Sequence, residues 1–157
     1  MTEAQIAWHL AHYVFEFRRY LCVPNSNGFL SWEADLLVLS SSNWLYEVEI
    51  KSTVSDLRAD IKKHKHNFVW GSPYYPLVSK MYYAMPLSVY KKVSEAPPIP
   101  DHAGIITIDE DNEFLHERAI RQREAKRNPV ARKLTPEERY KLARLGALRL
   151  WTRKLDG

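Results

Sequence analysis

The sequence lacks the features that mark disulfide-stabilised, secreted and membrane-spanning proteins. It has one cysteine, Cys22, so an internal disulfide is impossible and a reducing compartment is expected. No apolar run is long enough to cross a bilayer. The first residues, Met-Thr-Glu-Ala-Gln, lack the basic start and apolar middle of a signal peptide. These absences predict a cytoplasmic protein without membrane contact, and 157 residues suit one domain.

Charge is distributed unevenly along the chain. From Arg118 to the end there are 13 Lys and Arg residues and 4 Asp and Glu residues, which gives a net charge of +9. Residues 1–117 hold 10 and 15 respectively, a balance of −5. A clustered basic segment suits a polyanionic partner such as nucleic acid. A solvated helix that only aids solubility is the competing interpretation, and composition favours neither.

Hydrophobic periodicity predicts an α/β protein with a mixed sheet flanked by helices. Apolar residues recur at helical spacing over 3–21, and Pro24 with Asn25 should end this helix before a turn. Two strand patterns joined by Ser41-Ser42-Asn43 predict an antiparallel hairpin. The hairpin comprises strands 33–39 and 44–51. The elements expected after it are helix 55–68, strand 79–85, helix 87–93, strand 103–108 and a final helix from Thr135.

The same patterns suggest three parts of the chain. We expect a core over 1–117, a basic linker over 118–134 and a C-terminal helix over 135–157 packed on the core. One apolar stripe of that helix is spaced for packing, although Leu142, Leu145 and Leu148 lie on another side. The stripe comprises Tyr140, Ala143, Ala147, Leu150 and Trp151.

Asp35, Glu49 and Lys51 are the candidate catalytic residues. Asp35 opens an otherwise apolar strand, where a carboxylate is costly unless it is paired or binds a metal. Glu49 and Lys51 alternate along the next strand and share a face with Glu47, while Val48 and Ile50 point into the core. For Asp35 considered alone, a residue that caps a loop is more common than a catalytic one. For strand 44–51 considered alone, an ordinary strand with one solvated face is also the more common case.

The pairing of the two strands favours a catalytic role for these residues over a structural one. If the hairpin is symmetric about Ser42, Asp35 lies opposite Glu49, and opposite residues share a face. Two carboxylates and the carbonyl of Ile50 then offer oxygen ligands to Mg²⁺ or Mn²⁺. A lysine beside them suits the anionic transition state of phosphodiester cleavage. Removing any of the three side chains is expected to abolish turnover without necessarily unfolding the protein.

The spacing of Asp35 and Glu49-Ile50-Lys51 resembles the D…ExK core of PD-(D/E)XK nucleases. The stretch that follows resembles the MmcB-type DNA-repair nuclease family, in which a helix carries D-x-x-x-D-x-K, here Asp56, Asp60 and Lys62. The later segments MYYAMP, GIITIDED and ARLGALRL are similar in order, while Lys63 and Ser79-Lys80 depart from the family pattern. The resemblance implies a restriction-endonuclease-like fold and metal-dependent cleavage of DNA in repair or recombination.

Several other side chains are candidates for contact with nucleic acid. The proposed phosphate contacts are Lys62, Lys65, Arg121, Arg123 and Arg127. Glu16 is expected to pair with Arg19 rather than bind a metal. Tyr82 and Tyr83 are expected to pack in the core more than to stack on bases. The leading hypothesis is a nuclease acting on nucleic acid, with DNA as the expected substrate. A non-catalytic DNA-binding or assembly module is the alternative.

Overall fold

One mixed sheet with helices on both faces organises the chain. The structure, a computed structural model, describes residues 1–60 and 76–155. Within those ranges six strands lie side by side in chain order. β3, β4 and β5 are parallel, and the other neighbours are antiparallel. The strands are β1 Leu21–Ser26, β2 Ala34–Leu39, β3 Leu45–Ile50, β4 Val78–Pro86, β5 Gly104–Ile108 and β6 Ala119–Arg123.

The helices form a layer on each face of the sheet. They are α1 Glu3–His9, a π-helix Leu10–Val14, α2 Val54–Asp60, α3 Leu87–Lys91, a 3-10 turn Leu115–Glu117 and α4 Pro136–Leu155. α1 and the π-helix bury Ile6 and Leu10 against one face. The other face is packed with Leu57, Val89 and Leu142 from α2, α3 and α4. The predicted α/β fold with a mixed sheet between helices is therefore confirmed. None of the helices described is long and apolar enough to cross a membrane.

The β2–β3 hairpin has the predicted register. Leu36 pairs with Val48 and Leu39 pairs with Leu45, so the hairpin is symmetric about Ser42. The next pair in this register is Asp35 with Glu49. The short turn and the apolar pattern together set this register. A slip by one residue would move every apolar side chain to the opposite face of the sheet.

The N-terminal segment differs from the single helix predicted over 3–21. α1 begins at a capping box between Thr2 and Gln5, continues as the π-helix and ends before β1. β1 runs from the end of that segment into the first half of the predicted turn, and it includes Pro24. Because β1 is an edge strand, a proline without an N–H group is tolerated there. Local turn propensity at Pro24 and Asn25 was therefore overridden by long-range pairing with β2.

The predicted basic linker over 118–134 is wrong in its first part. Residues Ala119–Arg123 form β6, which pairs antiparallel with β5 and completes the sheet. An edge strand leaves most of its side chains in water, so apolar alternation does not mark it in the sequence. The core of the fold consequently extends beyond residue 117.

The C-terminal helix packs through the opposite side from the stripe we identified. Leu142 is fully buried, and Gly146 lies against Val23 of β1. Tyr140 and Trp151 from the predicted stripe are 71% and 63% exposed. Both sides of α4 carry apolar residues, so periodicity alone did not distinguish them.

Leu142→Ala is expected to lower the free energy of unfolding by about 2–5 kcal/mol, because it opens a cavity under α4. The matched change Tyr140→Ala on the exposed side should stay within about 0.5 kcal/mol of the parent. Urea denaturation of the two variants measures the difference. Equal losses would show that α4 is not docked through Leu142.

Candidate active site

The three predicted catalytic residues meet at one end of the sheet. Asp35 Oδ2 accepts a hydrogen bond of 2.8 Å from the Ile50 N–H, which ties the start of β2 to the end of β3. Lys51 Nζ lies 3.0 Å from Glu49 Oε2 and 3.8 Å from Asp35 Oδ2. The structure thus brings together the set that alternation and hairpin symmetry suggested.

Backbone pairing holds Lys51 at the end of its strand. β3 pairs parallel with β4 as far as Ile50, opposite Ala84. The Lys51 N–H then donates to the Ala84 carbonyl oxygen over 2.9 Å. Since the side chains of alternate residues share a face, this bond fixes Lys51 on the same side as Glu49.

Asp60 is a fourth member of the cluster that sequence analysis did not place in the site. Its Oδ1 lies 3.1 Å from Lys51 Nζ, and its Oδ2 accepts a hydrogen bond of 2.6 Å from the Tyr83 hydroxyl. Asp60 comes from α2, directly after β3, and belongs to the D-x-x-x-D-x-K pattern of the resemblance. That pattern is the sequence signal from which Asp60 could be assigned to the site.

This face of β3 is buried rather than solvated. Glu47, Glu49, Lys51 and Asp60 are respectively 2%, 2%, 7% and 1% exposed. Glu47 accepts a hydrogen bond of 2.7 Å from the Trp32 indole N–H. Charges in such surroundings are tolerated only when they are paired and hydrogen-bonded. The common alternative of an ordinary strand with one wet face therefore does not describe β3.

Burial and neighbouring charges shift the pKa values of Lys51 and Asp35. Burial disfavours the ammonium of Lys51, but the carboxylates of Glu49 and Asp60 outweigh it and raise the pKa of Lys51 above its ordinary value. Lys51 consequently stays protonated at neutral pH. Burial, followed by the charge of Glu49, raises the pKa of Asp35 to about 6. The Ile50 N–H and Lys51 oppose that rise only in part.

The donor set fits a hard divalent cation. Among residues 1–60 and 76–155 no group of three or more His, Cys, Asp or Glu side chains forms a metal site. The available oxygen donors are the carboxylates of Asp35 and Glu49 and the backbone carbonyl of Ile50. Hard oxygens suit Mg²⁺ and Mn²⁺, which also retain water in their coordination. Burial contributes most to the raised pKa of Asp35, and the negative charge of Glu49 adds a repulsion that a cation would relieve.

The residue at the mouth of the cluster is Asp35. Its side chain is 28% exposed, against 3% for Glu49 and 9% for Lys51. Glu3 of α1 is close enough for its charge to contribute to the raised pKa of Asp35. A substrate would therefore reach the cluster from the side of Asp35 and α1.

The predicted phosphate-binding arginines do not form one surface. Arg123 donates to the carbonyl oxygens of Ala103 and Pro100 over 2.8 and 2.7 Å, so it braces the loop before β5. These bonds give Arg123 a role within the fold, and its contact with nucleic acid stays a prediction. Arg121 lies over the Tyr82 ring and bonds Glu124 at 3.0 Å. An irregularity between β5 and β6 turns Arg121 and Arg123 to opposite faces.

Arg127 is distant from the candidate catalytic residues. Its guanidinium lies 4.2 Å from the centroid of the Trp44 ring, beside the hairpin turn. β3 runs its six residues, roughly 17 Å, from that turn to the cluster at Lys51. Lys62 and Lys65 lie outside the described residues.

Two secondary expectations are confirmed. Glu16 pairs with Arg19 at 3.1 Å on the surface. Tyr82 and Tyr83 are 2% and 0% exposed and belong to the two cores. Their rings therefore do not offer a face to a base.

Asp35→Asn is expected to stabilise the metal-free protein at neutral pH. The folded pKa of about 6 lies above the ordinary value of 3.8, so the fold disfavours the ionised carboxylate. Wild-type stability should fall as pH rises through that window and level off above it. Asparagine retains an acceptor for the Ile50 N–H without the charge. We expect a gain of about 1–2 kcal/mol at pH 7.5 and almost none at pH 4.

Urea denaturation in EDTA at the two pH values measures this gain. Asp101→Asn, a change at an exposed carboxylate, serves as the control. A stability difference that is the same at both pH values would contradict the raised pKa of Asp35.

Comparison with known proteins supports the fold. No family model and no curated protein matches the chain. The solved structure of a Silicibacter pomeroyi protein of unknown function is similar, with a TM-score of 0.62 and 17% sequence identity. The match covers 98% of this chain and 89% of the other. At this level of identity, the likeness concerns the arrangement of helices and strands alone.

Proposed function

We propose that the protein is a metal-dependent nuclease that hydrolyses phosphodiester bonds, with DNA as the expected substrate in repair or recombination. The observation that carries the proposal is the meeting of Asp35, Glu49 and Lys51 at the end of the β2–β3 hairpin. A buried lysine between carboxylates, beside a partly exposed aspartate, combines the charges that this chemistry uses.

Asp35, Glu49 and the carbonyl of Ile50 would hold Mg²⁺ or Mn²⁺. When bound, the cation supplies Lewis acidity to the phosphate and lowers the pKa of a coordinated water. In the net reaction a water oxygen bonds to phosphorus, and one phosphorus–oxygen bond to a sugar breaks. The departing sugar oxygen ends with a proton, and one water molecule is consumed.

Lys51 acts in this proposal as a fixed positive charge. Because its pKa is raised, it does not serve as a general base at neutral pH. Its ammonium donates to the carboxylates and stabilises negative charge that develops on the phosphate oxygens. Asp60 is a positioning residue: it is held by Tyr83 and keeps Lys51 beside Glu49.

The alternative is a non-catalytic nucleic-acid-binding or assembly module on this fold. Buried ion-pair networks also occur for structural reasons, and Lys51 is fully engaged by Glu49 and Asp60. A protein that only binds nucleic acid, however, has no need for two carboxylates close to the bound phosphates. Metal binding and cleavage distinguish the two functions.

Titration with Mn²⁺ followed by calorimetry should reveal one site in the wild-type protein. Asp35→Asn should abolish it, because the variant loses one of two charged ligands. Asp101→Asn again provides a matched loss of one exposed carboxylate and should leave the site unchanged. Equal binding in all three proteins would remove Asp35 from the metal site.

Lys51→Met is expected to reduce cleavage by about 10²–10³-fold, the usual effect of losing one group that stabilises an oxyanion. The assay compares labelled single- and double-stranded DNA with Mg²⁺, Mn²⁺ or EDTA. The control is Lys80→Met on β4, where the ammonium contacts Glu124 instead of the cluster.

The buried position of Lys51 alters the sequence-based expectation about folding. Without the ammonium, Glu49 and Asp60 remain buried and lose a partner, so the variant should be destabilised by about 3–5 kcal/mol. Its folded state must therefore be verified by circular dichroism at the assay temperature. Wild-type protein that cleaves nothing would reject the nuclease, and a folded Lys51→Met variant with full activity would remove Lys51 from the catalytic site.

A further inference from the structure

Three aromatic rings form a ladder on the outer side of α1 and the π-helix. The Trp8 and His12 rings stack with centroids 4.0 Å apart and an interplanar angle of 23°. The Phe17 ring follows at 4.9 Å from His12. Trp8 and Phe17 are 48% and 50% exposed, so each retains a ring surface in contact with solvent. The Trp8 ring also meets the Tyr13 ring edge-on, with centroids 5.8 Å apart, so the three rings belong to a partly exposed aromatic cluster.

The backbone is distorted where it builds this ladder. On a regular α-helix, neighbours lie three and four residues apart, so His12 and Phe17 would not meet. The π-helix and the left-handed conformation of Glu16, with φ of 48°, return the chain so that Phe17 N–H donates to the Ala11 carbonyl at 2.7 Å. Both features are uncommon for ordinary residues and are frequent at functional sites.

The middle ring is held in place. His12 Nδ1 lies 2.7 Å from the Trp8 carbonyl oxygen, which holds the imidazole at 23° to the indole plane. The Phe17 ring is tilted by 52° from the imidazole. An imidazole fixed in this way loses little conformational freedom when a flat ligand binds. The ladder is thus preorganised for stacking.

The ladder lines a pocket that reaches the candidate active site. The pocket has a volume of about 430 Å³ and runs between the N-terminal helices and the start of β2. The pocket is lined by all three rings and by Cys22 of β1. Asp35 and Ile50 also line it. The volume falls within the roughly 300–1,000 Å³ of small-ligand sites. A group bound on the rings would lie beside two of the proposed metal ligands.

We propose that this pocket holds one unpaired nucleobase of the strand to be cleaved; this assignment rests on the proposed nuclease function. Every nucleobase has a flat π-face that stacks on aromatic side chains regardless of its identity. The Arg18 guanidinium lies 6.0 Å from the Phe17 ring centroid and would offer a positive charge to a phosphate next to the base. Bases inside a duplex are already stacked and paired, so the substrate is single-stranded or frayed.

Oligonucleotides containing 2-aminopurine test the assignment, because this base loses fluorescence when it stacks. Single-stranded DNA, single-stranded RNA and duplex DNA are titrated with the full chain in EDTA, so that cleavage does not interfere. We expect quenching with the single strands and little with the duplex. Trp8→Ala and Phe17→Ala should each weaken binding about tenfold and reduce quenching. Trp8→Phe should restore most of both.

Tyr140→Ala is the matched control, since it also removes an exposed ring, on the far helix α4. Both pocket rings are half-exposed, so their removal should leave the melting temperature nearly unchanged. Quenching and affinity that do not depend on Trp8 and Phe17 would overturn the assignment. Binding of an apolar dye but of neither single strand would do the same.

Cleavage in Mg²⁺ and Mn²⁺ is measured separately, so the two proposals fail differently. Ring-dependent quenching without any cleavage would reject the nuclease and keep the base pocket. Cleavage of duplex and single strand at equal rates, with no quenching, would keep the nuclease and reject the pocket. Preferential cleavage of single strands that Trp8→Ala abolishes would support both.

Discussion

The ammonium of Lys51 holds together carboxylates that three separate elements bring to one end of the sheet. Asp35 arrives on β2, Glu49 on β3 and Asp60 on α2, and each has an oxygen within 4 Å of Lys51 Nζ. In these surroundings the carboxylates would repel one another strongly without a cation among them. The local fold and the proposed chemistry therefore depend on the same charge. A substitution there affects both at once, which is why a folded state must be demonstrated before lost activity is interpreted.

The central hairpin was predictable because its contacts are local. A short turn at Ser42 sets the register, and the alternation of residues along β3 sets the face. Asp35, Glu49 and Lys51 therefore followed from two adjacent segments of sequence. Asp60 did not, since its approach to Lys51 depends on how α2 packs against the sheet. The burial of Glu47 and Glu49 was equally hidden, because elements distant in the chain cover that face.

The basic end of the chain illustrates why charge in a sequence does not locate a binding surface. Arg123 satisfies loop carbonyls, Arg121 pairs with Glu124, and Arg127 covers Trp44. A guanidinium carries five donors and a planar face, so it often braces the fold internally. The aromatic ladder was missed for the opposite reason. Its rings come together through a π-helix and a left-handed Glu16, neither of which local periodicity indicates.

The two edges of the sheet influence how copies of this protein associate. An edge strand with free backbone groups can pair with the edge of another molecule and so begin aggregation. Here one edge, β1, contains Pro24, which cannot donate to a neighbouring strand. The other edge, β6, is five residues long, carries two arginines and is irregular. Within residues 1–60 and 76–155, neither edge offers a long, regular template to a second sheet. Association by strand addition at these edges is consequently disfavoured.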